Sequence, residues 1–225
     1  NNGENWVQIN QGLTRNYVPS IAINSSGDIF IVTDNHNANG GVYRSTNNGN
    51  NWTLLGLDEH AETSIAMNDS GDIFVGTAAQ GVYRSTDNGQ NFVQINEGLD
   101  TSNGMNPLSF TINTNGHVFV GTMSGGVFRS TNNGDNWVQI NQGLTRNYIL
   151  SLAINTRGDI FAGTSNGGIF RSTDNGDNWV QINQGLTYDQ GYYVFSLAIN
   201  SNGDILAGTA DGVFRSTNNG NNWVQ

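Results

Sequence analysis

Ser172-Thr173-Asp174-Asn175-Gly176-Asp177-Asn178-Trp179 is one of five copies of the pattern Ser-Thr-(Asp/Asn)-Asn-Gly-x-Asn-(Trp/Phe). The other copies begin at Ser45, Ser85, Ser130 and Ser216, and a truncated sixth, Asn1-Asn2-Gly3-Glu4-Asn5-Trp6, opens the chain. Successive serines lie 40, 45, 42 and 44 residues apart. Recurrence at that period means one small unit, unable to bury its apolar face alone, set against copies of itself.

Residues 149–183 give the unit most clearly. The apolar run Ile149–Asn155 turns at Thr156-Arg157-Gly158 and returns through Asp159–Thr164. A second turn at Ser165-Asn166-Gly167 leads into Gly168–Thr173, and the motif then leads into Asn178–Ile182. Short apolar runs separated by Asn-Gly and Gly-Asp turns read as four antiparallel strands, because Asn and Gly accept the positive φ of tight connections. Both alternating positions are apolar or small in Ile205-Leu206-Ala207 and Val213-Phe214, which predicts sheets covered on both faces. No segment holds a 3.6-residue period over three turns, so a helical solenoid is excluded. First strands centre near Ala22, Ala66, Thr111, Ala153 and Ala198. The fold class is therefore all-β: a five-bladed β-propeller of four-stranded antiparallel blades, one domain over residues 1–225. The chain carries six fourth-strand copies for five blades. Residues 5 to 10 are expected to pair with 212 to 217 and close the ring, leaving the C-terminal copy redundant.

Within the motif, Asp or Asn at the third position accepts backbone N–H bonds across the turn, Gly takes a backbone barred to residues with Cβ, and the aromatic anchors the returning strand. The structural set is Ser45, Asn47, Gly49 and Trp52; Ser85, Asp87, Gly89 and Phe92; Ser130, Asn132, Gly134 and Trp137; Ser172, Asp174, Gly176 and Trp179; Ser216, Asn218, Gly220 and Trp223. In this form the chain resembles the Asp-box family, or bacterial neuraminidase repeats, whose pattern Ser-x-Asp-x-Gly-x-x-Trp matches the spacing of all five copies. Asn47, Asn132 and Asn218 replace the acid and Phe92 replaces one Trp, which weakens the turn bond slightly. The resemblance implies a propeller and no single chemistry, since such boxes are similar across sialidases, other glycosidases, sorting-receptor ectodomains and assembly factors. It also implies that the boxes lie on the face away from any active site.

Composition excludes several functions. Eighteen acidic residues against eight arginines and no lysine give a net charge of −10, which repels nucleic acid and anionic membrane surfaces. With no cysteine there are no disulfides or thiolate sites. No apolar run approaches a membrane span and no signal peptide is evident, so a soluble chain is expected. An extracellular or secreted location is favoured, with a monomer that could exchange terminal strands.

Catalysis finds little support. Arg44, Arg84, Arg129, Arg171 and Arg215 share one repeat position, which argues for a structural task, a stem on the neighbouring blade with its guanidinium near the box turn. Only Arg15, Arg146 and Arg157 remain, and Arg157 lies in a turn on the box side, so a sialidase-like triad cannot be assembled. Asp28, Asp72, Asp159 and Asp204, with His117 at the fifth place, read as turn caps rather than the carboxylate pair of a glycosidase. His36, His60 and His117 occupy non-equivalent places, and Asp34–Gly40 lacks the oxygen ligands of a calcium loop, so neither metal nor cofactor is expected and calcium should not be needed.

The connections between units vary: Thr14–Tyr17, Asp58–Glu62, Asp100–Pro107, Thr145–Tyr148 and Thr187–Tyr193. Strand alternation puts them together, opposite the boxes, where a rigid scaffold presents binding residues. The leading functional reading is a non-catalytic module binding carbohydrate or protein through Tyr17, Tyr148, Tyr188, Tyr192 and Tyr193, with Arg15, Arg146, Glu59 and His60 as polar partners. The alternative is a structural or engineered propeller without ligand, since residues 6–17 and 137–148 are the same twelve-residue string. A glycosidase-like enzyme stands third.

Overall fold

The computed structural model describes residues 4–33, 40–58, 62–78, 80–99, 106–187 and 192–225. Glu59, His60, Tyr188 and most of the 34–40 segment lie outside them. Among the described residues, nineteen strands, all paired antiparallel, form five sheets in repeat order. The first is β1 (Ser20–Ile23), β2 (Ile29–Thr33), β3 (Gly41–Ser45) and β4 (Thr53–Gly56); the second is β5 (Glu62–Met67), β6 (Ile73–Thr77), β7 (Gly81–Ser85) and β8 (Val93–Gln94). The third is β9 (Pro107–Ile112), β10 (Val118–Thr122), β11 (Val127–Ser130) and β12 (Val138–Gln139). The fourth is β13 (Ile149–Ile154), β14 (Ile160–Thr164), β15 (Gly168–Ser172) and β16 (Val180–Gln181). The fifth has three strands, β17 (Val194–Ile199), β18 (Ile205–Thr209) and β19 (Gly212–Ser216). The residues form two compact units, 1–75 with 84–93 and 76–83 with 94–225.

In the larger unit, repeats bury their apolar faces on one another. Phe119, Val127 and Ile140 of the third repeat meet Ile149, Leu152, Ile160, Phe170 and Trp179 of the fourth. Phe161, Ile169 and Ile182 of the fourth meet Val194, Ile205, Phe214 and Trp223 of the fifth. β14 is buried at all five positions, as two-sided apolar patterning predicts. In the smaller unit, β5 lies against β1 and β2.

The expected N-terminal closure of the fifth sheet is corrected. Arg215 and Val224 exchange both backbone hydrogen bonds, at 2.8 and 3.0 Å, so the C-terminal copy takes the outer place in its own sheet. Residues 5–10 form no strand, and Trp6 is 89% exposed. The physical reason is local. An eight-residue excursion returns Val224 to Arg215, and closing so short a loop costs far less chain entropy than bringing in a strand about 200 residues away. The fourth strands are also shorter than the sequence suggests, only two residues long in β8, β12 and β16.

Candidate functional site

The box holds itself together by one repeated circuit. Ser172 Oγ donates to Asp174 Oδ1 at 2.8 Å and accepts the Gly176 N–H at 2.8 Å, while Asp174 Oδ1 also accepts the Asn178 N–H at 2.9 Å. The Asn copies keep the same bonds: Asn132 Oδ1 accepts from Ser130 Oγ and from the Asn136 N–H. The acid adds one more, since Asp87 Oδ2 and Asp174 Oδ2 also accept from the Asn91 and Asn178 amides. These donors, the Asn91 side chain first, then its backbone N–H and Ser85, hold Asp87 down at about 2. Asp174 is lowered in the same way by Asn178 and Ser172. The Asn between acid and glycine takes positive φ in every box: Asn48, Asn88, Asn133, Asn175 and Asn219.

The aromatic of each box does more than anchor its own strand. The indole N–H groups of Trp52, Trp137, Trp179 and Trp223 donate to the carbonyl oxygens of Ile9, Ile95, Ile140 and Ile182, at 2.7, 2.8, 2.7 and 2.7 Å. Each of those isoleucines begins a segment Ile-Asn-(Gln/Glu)-Gly-Leu at the end of the preceding repeat. Its third residue accepts the Trp backbone N–H, as Gln142 does from Trp179 at 2.9 Å. Its glycine, Gly143 before Trp179, has φ of 92° and lies so close to the Trp179 carbonyl that a Cβ would collide with it. Its Asn replaces strand backbone: Asn183 Oδ1 accepts the Ile169 N–H and Asn183 Nδ2 donates to the Gly167 carbonyl. Phe92 stands where this cradle is missing, because the preceding repeat ends Leu55-Gly56-Leu57 and Phe92 packs by Gly56.

Residues common to all repeats are thus occupied internally. Arg129 and Arg171 donate to the carbonyl oxygens of Asn175 and Asn219 in the next box, both at 2.6 Å, while Arg44 binds Asp28 at 2.6 Å. Asp159 accepts from Asn219, and Asn155 caps its turn by accepting the Asp159 N–H. The sequence assigned the turn cap to the aspartates; the preceding asparagines carry it. The cue was the Asn at 24, 68, 113, 155 and 200. Among the described residues, no three of His, Asp and Glu are placed to hold a metal ion.

Strand register places the connections. Ile149 pairs with Thr164 at one end of the fourth sheet and Ile160 with Ser172 at the other, so Tyr148 and the 165–167 turn share the end away from the box. There the Ser165 N–H donates to the Tyr148 carbonyl and the Gly168 N–H to the Tyr192 carbonyl, both at 3.0 Å. Arg146 donates through Nε to the Asn166 carbonyl at 3.3 Å. The turn 165–168 therefore gathers Arg146, Tyr148 and Tyr192, while Tyr193 stacks on Phe195 with centroids 6.2 Å apart. Arg15 and Tyr17 belong to the smaller unit, where Tyr17 is exposed. Clefts not anticipated from sequence open at the box end. One of about 550 Å³ is bordered by Asn155, Arg157, Asn202 and Asn219; another of about 940 Å³, in the smaller unit, by Asn24, Asn68, Asp87 and Asn88. Neither cleft is bordered by an aromatic side chain.

No protein-family model matches the chain, and comparison with curated proteins finds no relative. Solved structures do resemble it. The extracellular domain of a putative one-component system from B. thetaiotaomicron is 20% identical with a TM-score of 0.72, over 89% of this chain and 27% of that one. A GH74 xyloglucanase from Xanthomonas campestris is 16% identical with a TM-score of 0.73, over 90% and 38%. YCF48 bound to D1 peptide is 15% identical with a TM-score of 0.70, over 96% and 70%. The chain thus spans about a quarter to two fifths of the length of the first two. At these identities the likeness is one of fold, a β-propeller-like all-β architecture.

Proposed function

We propose that the five Asp-box repeats are the blades of a single non-catalytic propeller scaffold, and that the connections opposite the boxes bind a carbohydrate or a protein surface outside the cell. The observation that carries this reading is a division of labour. Side chains shared by all repeats are spent on bonds within and between repeats, while the connections bring the Arg146 guanidinium and the backbone of Tyr148 and Tyr192 to one turn. Tyrosine presents a flat amphipathic face at low entropic cost, and a nearby guanidinium supplies directional donors for hydroxyl or carboxylate groups. The resembling structures are compatible with either ligand class, since one is a xyloglucanase and another holds a peptide.

A glycosidase is disfavoured by the repeated aspartates, which sit in separate turns engaged with Arg44, Asn219 and Arg215. A retaining mechanism needs two carboxyls about 5 Å apart around one bond. A glycan array and a peptide array, each run with the full chain and with Tyr148→Ala, test the proposal. Saturable binding weakened at least tenfold by Tyr148→Ala is expected. Binding unaffected by that change, or silence on both arrays, sinks it.

A further inference from the structure

Asparagine followed by glycine is the pair in which a main-chain amide most readily attacks the preceding side chain, because glycine puts no Cβ in the way. The chain has eleven such pairs, eight of them within the described residues. Seven of those eight glycine N–H groups are held. In the box pairs at Asn48, Asn88, Asn133, Asn175 and Asn219 the glycine donates to the box serine Oγ, at 2.8 Å in the first four and 2.9 Å in the last. The Gly116 and Gly203 N–H groups donate to the carbonyl oxygens of Asn113 and Asn200, at 2.9 and 3.0 Å. Among the described residues, only the Gly167 N–H, after Asn166, makes no hydrogen bond. The shape of its turn is the cause. In the matching turn of the third repeat, the Gly125 N–H donates to Thr122 Oγ1 at 2.9 Å. Asn166 stands in the place of Ser124 but takes φ of 62°, which Ser124 does not share, and the amide that follows it misses Thr164 Oγ1. Asn166 is exposed, with no hydrogen bond to its side chain among the described residues.

We propose that Asn166 is a self-modification site, where the chain converts its own asparagine to aspartate and isoaspartate with water as the co-reactant. The Gly167 nitrogen gives its proton to solvent base and bonds to Asn166 Cγ; the Cγ–Nδ2 bond breaks, ammonia leaves, and a cyclic imide closes. Water then opens the ring. Breaking the new N–Cγ bond gives aspartate, and breaking the original peptide C–N bond gives isoaspartate, with the Cβ of residue 166 now in the main chain. Nothing is oxidised or reduced. Gly167 is buried, but attacker and target are neighbours in the chain, and the exposed carboxamide lets ammonia out and water in. Either product puts a carboxylate on the turn whose residue-166 carbonyl accepts from Arg146 Nε at 3.3 Å, and the isoaspartyl form lengthens that turn. The reaction needs no ligand, so it stands apart from the binding reading.

Ser-Asn-Gly occurs at both 165–167 and 201–203, which makes Asn202 a control with the same local sequence. The full chain is incubated at mildly alkaline pH, folded and in urea, and peptide mass spectrometry follows the exchange of amide for hydroxyl at each asparagine. In the folded chain Asn166 should convert at least about tenfold faster than Asn202 and the five box asparagines, because held amides react only on local opening. In urea the rates at 166 and 202 should come together. Asn202 matching or outrunning Asn166 in the folded chain overturns the proposal, and so does a preference for Asn166 that persists in urea, which would trace it to flanking sequence. Asn166→Gln, at an exposed site, should abolish the fast phase. Amide hydrogen exchange of the unmodified chain checks the geometry separately: Gly167 should exchange faster than Gly125 and Gly203, and a Gly167 N–H as protected as those two contradicts the proposal.

Discussion

The fourth and fifth repeats carry nearly the same strands and meet different environments. Ile160-Phe161-Ala162-Gly163-Thr164 is buried throughout, while in Ile205-Leu206-Ala207-Gly208-Thr209 the residue matching Phe161 is exposed. The difference lies in what stands beyond the sheet. β14 has β17 against it, whereas Leu206 is 39% exposed. Burial in this chain is a property of junctions, so energetic weight belongs to residues that reach into the next repeat.

The comparison is broken most easily at that pair of positions. Phe161→Ala should cost about 3 to 5 kcal/mol in denaturant unfolding, the usual cost of emptying a packed aromatic site, and Leu206→Ala in the intact single chain well under half of that. Equal losses would mean that the fifth repeat is covered. Trp179→Ala belongs to the same largest class, at about 3 to 5 kcal/mol, while Trp6→Ala should change stability by no more than about 0.5 kcal/mol.

Next in size is the box circuit. Ser172→Ala strands the buried Gly176 N–H and should cost about 1 to 3 kcal/mol; a change below that range would mean water reaches the turn. The smallest effect concerns acid. Asp87 is held at about 2, below its unfolded value near 3.8. Because the folded pKa is depressed, its stabilising contribution is present above about pH 4 and is lost as pH falls toward 2. Asp87→Asn should flatten that part of the stability profile and change little at neutral pH, since Asn47 makes the same two Oδ1 bonds. An unchanged acid profile would sink this assignment.

The strand layout was legible because turn chemistry and apolar runs agree residue by residue: the unit read from 149 to 183 matches β13 to β15 within one residue at each end and β16 within two. The arginines were also legible, since recurrence at one position argues for a shared task and Arg129 and Arg171 perform it. The cradle was not. Ile-Asn-(Gln/Glu)-Gly-Leu recurs at 9–13, 95–99, 140–144 and 182–186, yet in the last three copies its asparagine side chain imitates strand backbone, which no periodicity reveals. Terminal pairing was misjudged because residues 5–10 and 222–225 are alike in sequence and differ only in the length of loop to be closed. For the proposed loop site, position along the strands follows from alternation, whereas the approach of Arg146 and the Tyr192 backbone to the 165–168 turn depends on hydrogen bonds that sequence does not show.

The central claim is that each box indole is a fastener driven into the repeat before it. Exchange of the indole N–H protons, followed by nuclear magnetic resonance on chain labelled at the tryptophan ring nitrogen, reads it directly. Of the five tryptophans, Trp52, Trp137, Trp179 and Trp223 should exchange slowly, at rates that track opening of their junctions, and Trp6 at the rate of an exposed indole. Fast exchange at any of the four, or protection at Trp6 in the single chain, would contradict the account.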